Sequence, residues 1–129
     1  MFMKNKIYII IFIILIVAGS GFLIWQNVKN SQASSELIAF AKCLSEKGAT
    51  MYGTESCEWC QRQRVDFKNA WQYINYVDCF KEPQKCVAQN IEAMPTWIFP
   101  STSSGQAGQK LTGYQELKGL AQQSGCVLH

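Results

Sequence analysis

The sequence predicts an α/β domain carried behind one transmembrane helix. Two observations carry this. An uncharged, apolar run fills Ile7 to Trp25, broken in character only by Gly19, Ser20 and Gly21. Beyond residue 35, segments of helical periodicity alternate with short β-rich segments. At 129 residues and 14.6 kDa, the chain holds one ordinary domain and excludes a large multidomain enzyme. A hydrophobic fraction of 48% with 16% charged residues excludes a chain disordered by composition.

The elements follow in order. Nineteen helical residues from Ile7 to Trp25 span about 29 Å, the thickness of a bilayer's hydrocarbon core. The run shows no polar face, and Trp25 sits where an interfacial aromatic belongs. Lys4 and Lys6 precede it and Lys29 alone follows. The positive-inside bias therefore puts residues 1–6 in the cytoplasm and the rest of the chain outside. A cleaved signal peptide is the alternative. The run continues through Phe22-Leu23-Ile24-Trp25 beyond the small residues Ala18-Gly19-Ser20, which favours an uncleaved anchor over 7–25.

Residues 26–35 are polar and read as a linker, leaving 36–129 as the folded domain. Leu37, Phe40, Ala41 and Leu44 recur at helical spacing up to Gly48. Ala49 to Tyr52 reads as a strand ended by Gly53, and Cys57 to about Trp71 as a helix with Gln, Arg, Lys and Asp on its wet side. Tyr73 to Val77 is β-rich. Pro83 can open a helix through Asn90. Thr96 to Phe99 is a strand, Pro100 to Gly108 a Ser/Gly loop, and Lys110 to Thr112 a short strand. Thr112 with Gln115 fits a capping box for a last helix through Leu117, Leu120, Ala121 and Ser124, stopped by Gly125.

The net charge of +3 belongs to the membrane-proximal lysines. From Ser31 onward nine basic residues balance nine acidic ones. The domain has no basic patch for nucleic acid. The one histidine is the C-terminal His129, which excludes a histidine-based triad and a histidine-rich metal site. No phosphate-binding loop or nucleotide fingerprint is present.

Chemistry concentrates in the cysteines. Cys57-Glu58-Trp59-Cys60 is a CxxC at a strand-to-helix junction, with three readings. In the redox reading, the helix N-terminus favours a Cys57 thiolate that attacks a substrate disulfide, and Cys60 one turn later resolves the mixed disulfide. In the zinc reading, Cys57, Cys60, Cys79 and Cys86 form a four-cysteine site, although the last gap departs from the usual paired spacing. In the third, Cys57–Cys60 is a structural disulfide. Pro95, directly before the Thr96 strand, stands where a cis X-Pro bond or an edge proline is tolerated. Trp59, inside the CxxC, reads as exposed and able to touch substrate. Trp71, Tyr73 and Tyr76 read as packing residues.

Taken together, Phe40-Ala41-Lys42-Cys43-Leu44, Met51-Tyr52-Gly53, Cys57-x-x-Cys60, Tyr73 to Cys79, Met94-Pro95-Thr96-Trp97-Ile98 and Ser124-Gly125-Cys126 resemble a known family. They are similar to thioredoxin-fold thiol-disulfide oxidoreductases, and closest to the thioredoxin-like domains that accompany bacterial vitamin K epoxide reductase homologues. The resemblance covers about residues 36–126. It implies a thioredoxin-like fold, a central mixed sheet flanked by helices. It implies Cys57 as the attacking and Cys60 as the resolving cysteine, and Pro95 as a cis-proline whose loop, through Met94, pairs with an extended substrate. It pairs Cys43 with Cys126 as a structural disulfide. Cys79 and Cys86 then form either a structural pair or a second redox pair. No cofactor and no metal is implied.

The sequence departs from the family in three ways. The dipeptide between the cysteines is Glu-Trp. The buried acid six residues before the first cysteine is replaced by Met51. Glu58 opposes a Cys57 thiolate, whereas Arg62 and Arg64 in the next turn could act the other way. The expected function is a single-pass, membrane-anchored extracytoplasmic oxidoreductase. It would pass disulfides to secreted protein thiols and be reoxidised by a vitamin K epoxide reductase-like membrane partner. The alternatives are a reductase or isomerase on the same scaffold, a thiol metal-binding module, and a disulfide-stapled interaction domain.

Overall fold

The computed structural model describes residues 2–101 and 108–128; most of the Pro100–Gly108 loop, and His129, lie outside the described residues. So do the side chains of Lys4 and Lys29. The chain divides into two compact units, Met1–Gln32 and Ala33–His129.

The first unit is helix α1, Phe2–Ser31. Its stretch Asn5–Gln26 has a mean hydropathy of 2.9 and the length and composition of a membrane span or a signal sequence. The polar residues expected as a tether continue this helix as far as Ser31, because no proline or glycine interrupts them.

The second unit begins at α2, Ser35–Glu46, where the Ser34 hydroxyl accepts the Leu37 N–H at 3.2 Å and caps the first turn. Leu37, Phe40, Ala41 and Leu44 form its buried stripe. Strand β1, Thr50–Gly53, leads to α3, Glu58–Phe67. The helix expected to reach Trp71 stops at Phe67. Lys68 takes a positive φ of 52°, and a 3-10 turn, Lys68–Tyr73, follows. Strand β2 is Asn75–Asp78, α4 is Pro83–Ala88 with proline in the first turn, and β3 and β4 are Thr96–Phe99 and Gln109–Thr112. Helix α5, Leu117–Ser124, ends at Gly125, whose φ of 66° is the left-handed conformation glycine adopts without strain.

The expected capping box does not form. Gly113, at φ 90°, turns the chain after β4, and the Gln115 amide donates to the carbonyls of Thr112 and Gly113. Glu116 occupies the N-cap instead, without a side-chain cap.

The sheet is mixed, in the order β2-β1-β3-β4. β1 runs parallel to β2 and antiparallel to β3, and β3 is antiparallel to β4. Side-chain alternation along these strands separates two apolar clusters. Met51, Trp97 and Phe99 pack with Phe40, Leu44, Phe67 and Leu120, the larger core. Tyr52, Val77 and Ile98 face the other way, with Cys79 and Cys86.

Candidate active site

Cys57 is the N-cap of α3, and its sulfur accepts the Cys60 N–H at 3.2 Å. A sulfur in this position receives an otherwise orphaned backbone donor and the positive end of the helix. Both favour a thiolate once the bond is reduced. Cys57 is half-buried, whereas Cys60, one turn on, is 2% exposed. Their sulfurs are joined, with Cα atoms 5.2 Å apart. The asymmetry makes Cys57 the sulfur that an incoming group reaches and Cys60 the one that it does not.

Cys60 owes its seat to Gly53. A Cβ added at Gly53 would lie 2.7 Å from the Cys60 sulfur, so only glycine ends β1 without displacing it. The same face of α3 buries Gln63, which is fully enclosed. Its side-chain oxygen accepts the Trp97 indole N–H at 3.3 Å and the Gln115 N–H at 3.0 Å, and its amide donates to the Gln115 carbonyl at 2.9 Å. Gln63 thus fastens the active-site helix to β3 and to the turn before α5. The sequence pattern puts the glutamines of this helix on its wet side, whereas the structure encloses Gln63. The signal was a polar residue at position i+3 from Cys60 on a stripe completed by Phe67.

The Met94–Pro95 bond is cis. Pro95 is buried, and its carbonyl accepts the Gly113 N–H at 2.7 Å, while the Thr96 hydroxyl donates to the Ala93 carbonyl at 2.7 Å. The loop is therefore anchored on both sides, and Met94 lies just outside the β3 ladder at the surface. Trp59, Met94, Pro95, Gly113 and Tyr114 line an apolar groove of about 350 Å³. Trp59 is 59% exposed, and its ring centroid lies 6.1 Å from that of Tyr114. The Tyr114 hydroxyl donates to Asp66, a hydrogen bond that raises the phenol pKa above 10.0, with burial and the Asp66 charge acting in the same direction. Gly113 and Tyr114 were not singled out from sequence, because only the fold sets the β4–α5 turn beside the CxxC.

The two arginines expected near Cys57 are engaged elsewhere. Arg62 pairs with Asp66 at 3.7 Å, and Arg64 lies over the rings of Trp71 and Tyr76, 5.2 and 4.9 Å from their centroids. Glu58 remains in the first turn of α3.

The other cysteines are joined in two further disulfides. Cys43–Cys126 links α2 to the residue after the α5 cap, with Cα atoms 6.0 Å apart. Cys79–Cys86 joins the end of β2 to α4 with Cα atoms 5.6 Å apart, and it is buried. It packs with Tyr52, in the cluster on the face of the sheet opposite to Cys57 and Cys60. The four cysteines of the zinc reading are therefore paired two and two on opposite faces.

The fold is thioredoxin-like. The chain is similar in fold to chloroplastic thioredoxin z, with a TM-score of 0.50 at 12% identity over 60% of this chain and 74% of that one. A thioredoxin of Fasciola hepatica aligns with 65% of this chain and 88% of its own, at 17% identity and a TM-score of 0.47. In sequence the chain is 35% identical over 108 residues, 77% of its length, to thiol-disulfide oxidoreductase LTO1 of Arabidopsis thaliana. It spans 27% of that relative's length. No family model matches the chain.

Proposed function

We propose that the protein is a membrane-anchored, extracytoplasmic thiol-disulfide oxidoreductase. The observation that carries this reading is the asymmetric pair: a reachable Cys57 sulfur at a helix N-cap, backed by a buried Cys60. In the disulfide-donating direction, a substrate thiolate attacks the Cys57 sulfur. The Cys57–Cys60 bond breaks and Cys60 leaves as a thiolate. A second substrate thiolate then attacks its own sulfur in the mixed disulfide and releases Cys57. The substrate loses two electrons and the protein gains them.

Trp59, Met94 and Pro95 hold the substrate as an extended segment, through apolar contact and backbone pairing. The similarity to an oxidoreductase supports the chemistry. The apolar helix and the lysine bias around it support anchoring with the domain outside. Two further disulfides suit an oxidising compartment. The resemblance to domains that accompany vitamin K epoxide reductase homologues supports a quinone-linked membrane protein as the oxidant that restores Cys57–Cys60.

Replacing Cys60 with alanine should trap substrates on Cys57 as mixed disulfides in cells. Absence of any trapped species sinks the exchange reading. The reduction potential separates its two directions: near about −120 mV it is a disulfide donor, near about −270 mV a reductase.

A further inference from the structure

A buried thiol is a poor nucleophile until it loses its proton, and a buried thiolate is a poor leaving group until it gains one. Cys60, at 2% exposure, therefore needs a partner for its proton. Met51, on the strand facing it, offers none.

The sheet register supplies a candidate. In the β1–β2 ladder Met51 is opposite Tyr76, Tyr52 opposite Val77, and Gly53 opposite Asp78. Directly paired residues point to the same face. Met51 and Tyr76 pack in the Cys60 cluster, while Tyr52 and Val77 lie in the other. Gly53 and Asp78 consequently belong to the Cys60 face. The space a Gly53 side chain would fill holds the Cys60 sulfur. Asp78 projects onto that same face from the neighbouring strand, about 4.8 Å away. At 7% exposure it is the one carboxylate buried among the described residues.

We infer that Asp78 exchanges the Cys60 proton. This rests on the exchange reading of Cys57–Cys60. When Cys60 leaves Cys57 as a thiolate, Asp78 takes up a proton from solvent and passes it to the Cys60 sulfur. In reverse, the Asp78 carboxylate takes the Cys60 proton, the thiolate attacks the Cys57 sulfur of a mixed disulfide, and the substrate thiolate departs.

The charged and titratable groups around Asp78 fit this role. Lys81 lies 3.6 Å from one carboxylate oxygen and 2.7 Å from Glu55, in the loop before Cys57. The other oxygen accepts the Phe80 N–H at 2.9 Å. Tyr76 shares the face, and burial followed by the Asp78 charge raises its pKa. The phenol therefore stays protonated and cannot compete as a base. Arg64 covers the Tyr76 ring, and Glu82 in the following turn pairs with Lys85. Asp78 thus sits at the end of β2 on the Cys60 face, with one carboxylate oxygen held by Phe80 and the other beside Lys81.

The test uses the full chain in detergent, reduced and mixed with glutathione disulfide, with tryptophan fluorescence as the signal. At saturating glutathione disulfide the first-order limit reads the attack of Cys60 on the mixed disulfide. Asp78→Asn should slow this limit at least about tenfold at pH 7 and remove the lower limb of its pH profile; Asp78→Glu should restore part of both. The second-order attack by Cys57 should change far less. Lys81→Met, a change at an exposed side chain, removes the ion pair on Asp78 and should alter the pH profile of the same limit. A wild-type pH profile in Asp78→Asn, or in Lys81→Met if Asp78→Asn does not fold, overturns the inference while leaving exchange itself standing. A wild-type chain that never reacts with glutathione disulfide overturns the exchange reading instead.

Discussion

Gly53 and Cys60 are in contact across the end of β1, so close that a methyl group on Gly53 would sit 2.7 Å from the Cys60 sulfur. The disulfide is thereby held by the sheet as well as by its helix. Gly53→Ala must displace a buried, bonded sulfur rather than the tip of a flexible side chain. Overpacking of this kind costs about 1–3 kcal/mol. For a domain of this size, each kcal/mol lowers the melting temperature by about 4–8 °C. Thermal unfolding followed by circular dichroism checks it. An unchanged melting temperature would mean that the end of β1 yields freely.

Gln63 is a buried polar residue whose amide group makes three hydrogen bonds. Gln63→Leu keeps roughly the same volume but leaves the Trp97 indole N–H and the Gln115 N–H without their acceptor. Each buried donor left unmade costs about 1–3 kcal/mol. A loss of about 2 kcal/mol or more in denaturant unfolding, with an unchanged slope, is the expected outcome. Gln63→Glu should also be costly, because a carboxylate cannot donate to the Gln115 carbonyl.

Disulfide removal should separate the two pairs outside the CxxC. Cys43 and Cys126 are 83 residues apart, and Cys79 and Cys86 only seven. Loop-closure entropy assigns about 4.5 kcal/mol to the first and about 2.5 kcal/mol to the second. Equilibrium unfolding of the two double-alanine variants should rank them in that order. The reverse order would show that packing around the buried Cys79–Cys86 pair outweighs chain entropy.

These elements also mark how far the sequence could be read. Helices α2 and α5 were legible because their apolar residues keep the helical period, and β3 because Thr-Trp-Ile-Phe follows a proline. The early end of α3 was not, since nothing in Lys68-Asn69-Ala70 signals the positive φ at Lys68. The capping box at Thr112 misled because Gly113 turns the chain first. The CxxC stood out by spacing alone. The residues packed around it were hidden: Gly53, Gln63 and Tyr114 reach its helix through a strand end, a helix face or a turn. None of these is a local property of the chain.

Alkaline pH should expose the Tyr114–Asp66 hydrogen bond. The phenol pKa is raised in the folded chain, so the stability it contributes is full below the unfolded value of about 10 and falls as pH rises through the folded value. Tyr76 and Lys81 are raised as well and contribute to the same alkaline decline. The informative quantity is therefore the difference between wild type and Tyr114→Phe. Urea midpoints should differ most at pH 8, and the difference should shrink as the pH is raised beyond the unfolded value of about 10. A constant difference across that range would mean that the hydrogen bond does not control the ionisation.

Trp59 and Tyr114 form the two aromatic sides of the groove beside Pro95. Trp59 is largely exposed, so its removal should cost little stability while stripping apolar contact area from whatever lies in the groove. An extended polypeptide would feel this loss; a small disulfide that reaches only the Cys57 sulfur would not. Trp59→Ala is therefore expected to slow exchange with a reduced, unfolded protein several-fold, chiefly through a higher KM, while exchange with glutathione changes less than twofold. Truncating Met94 to alanine should act in the same direction but more weakly, because the backbone pairing proposed for it does not depend on the side chain. Parallel kinetics on the two substrates check the split. Equal slowing of both would place Trp59 in the chemistry of the Cys57–Cys60 bond rather than in substrate binding.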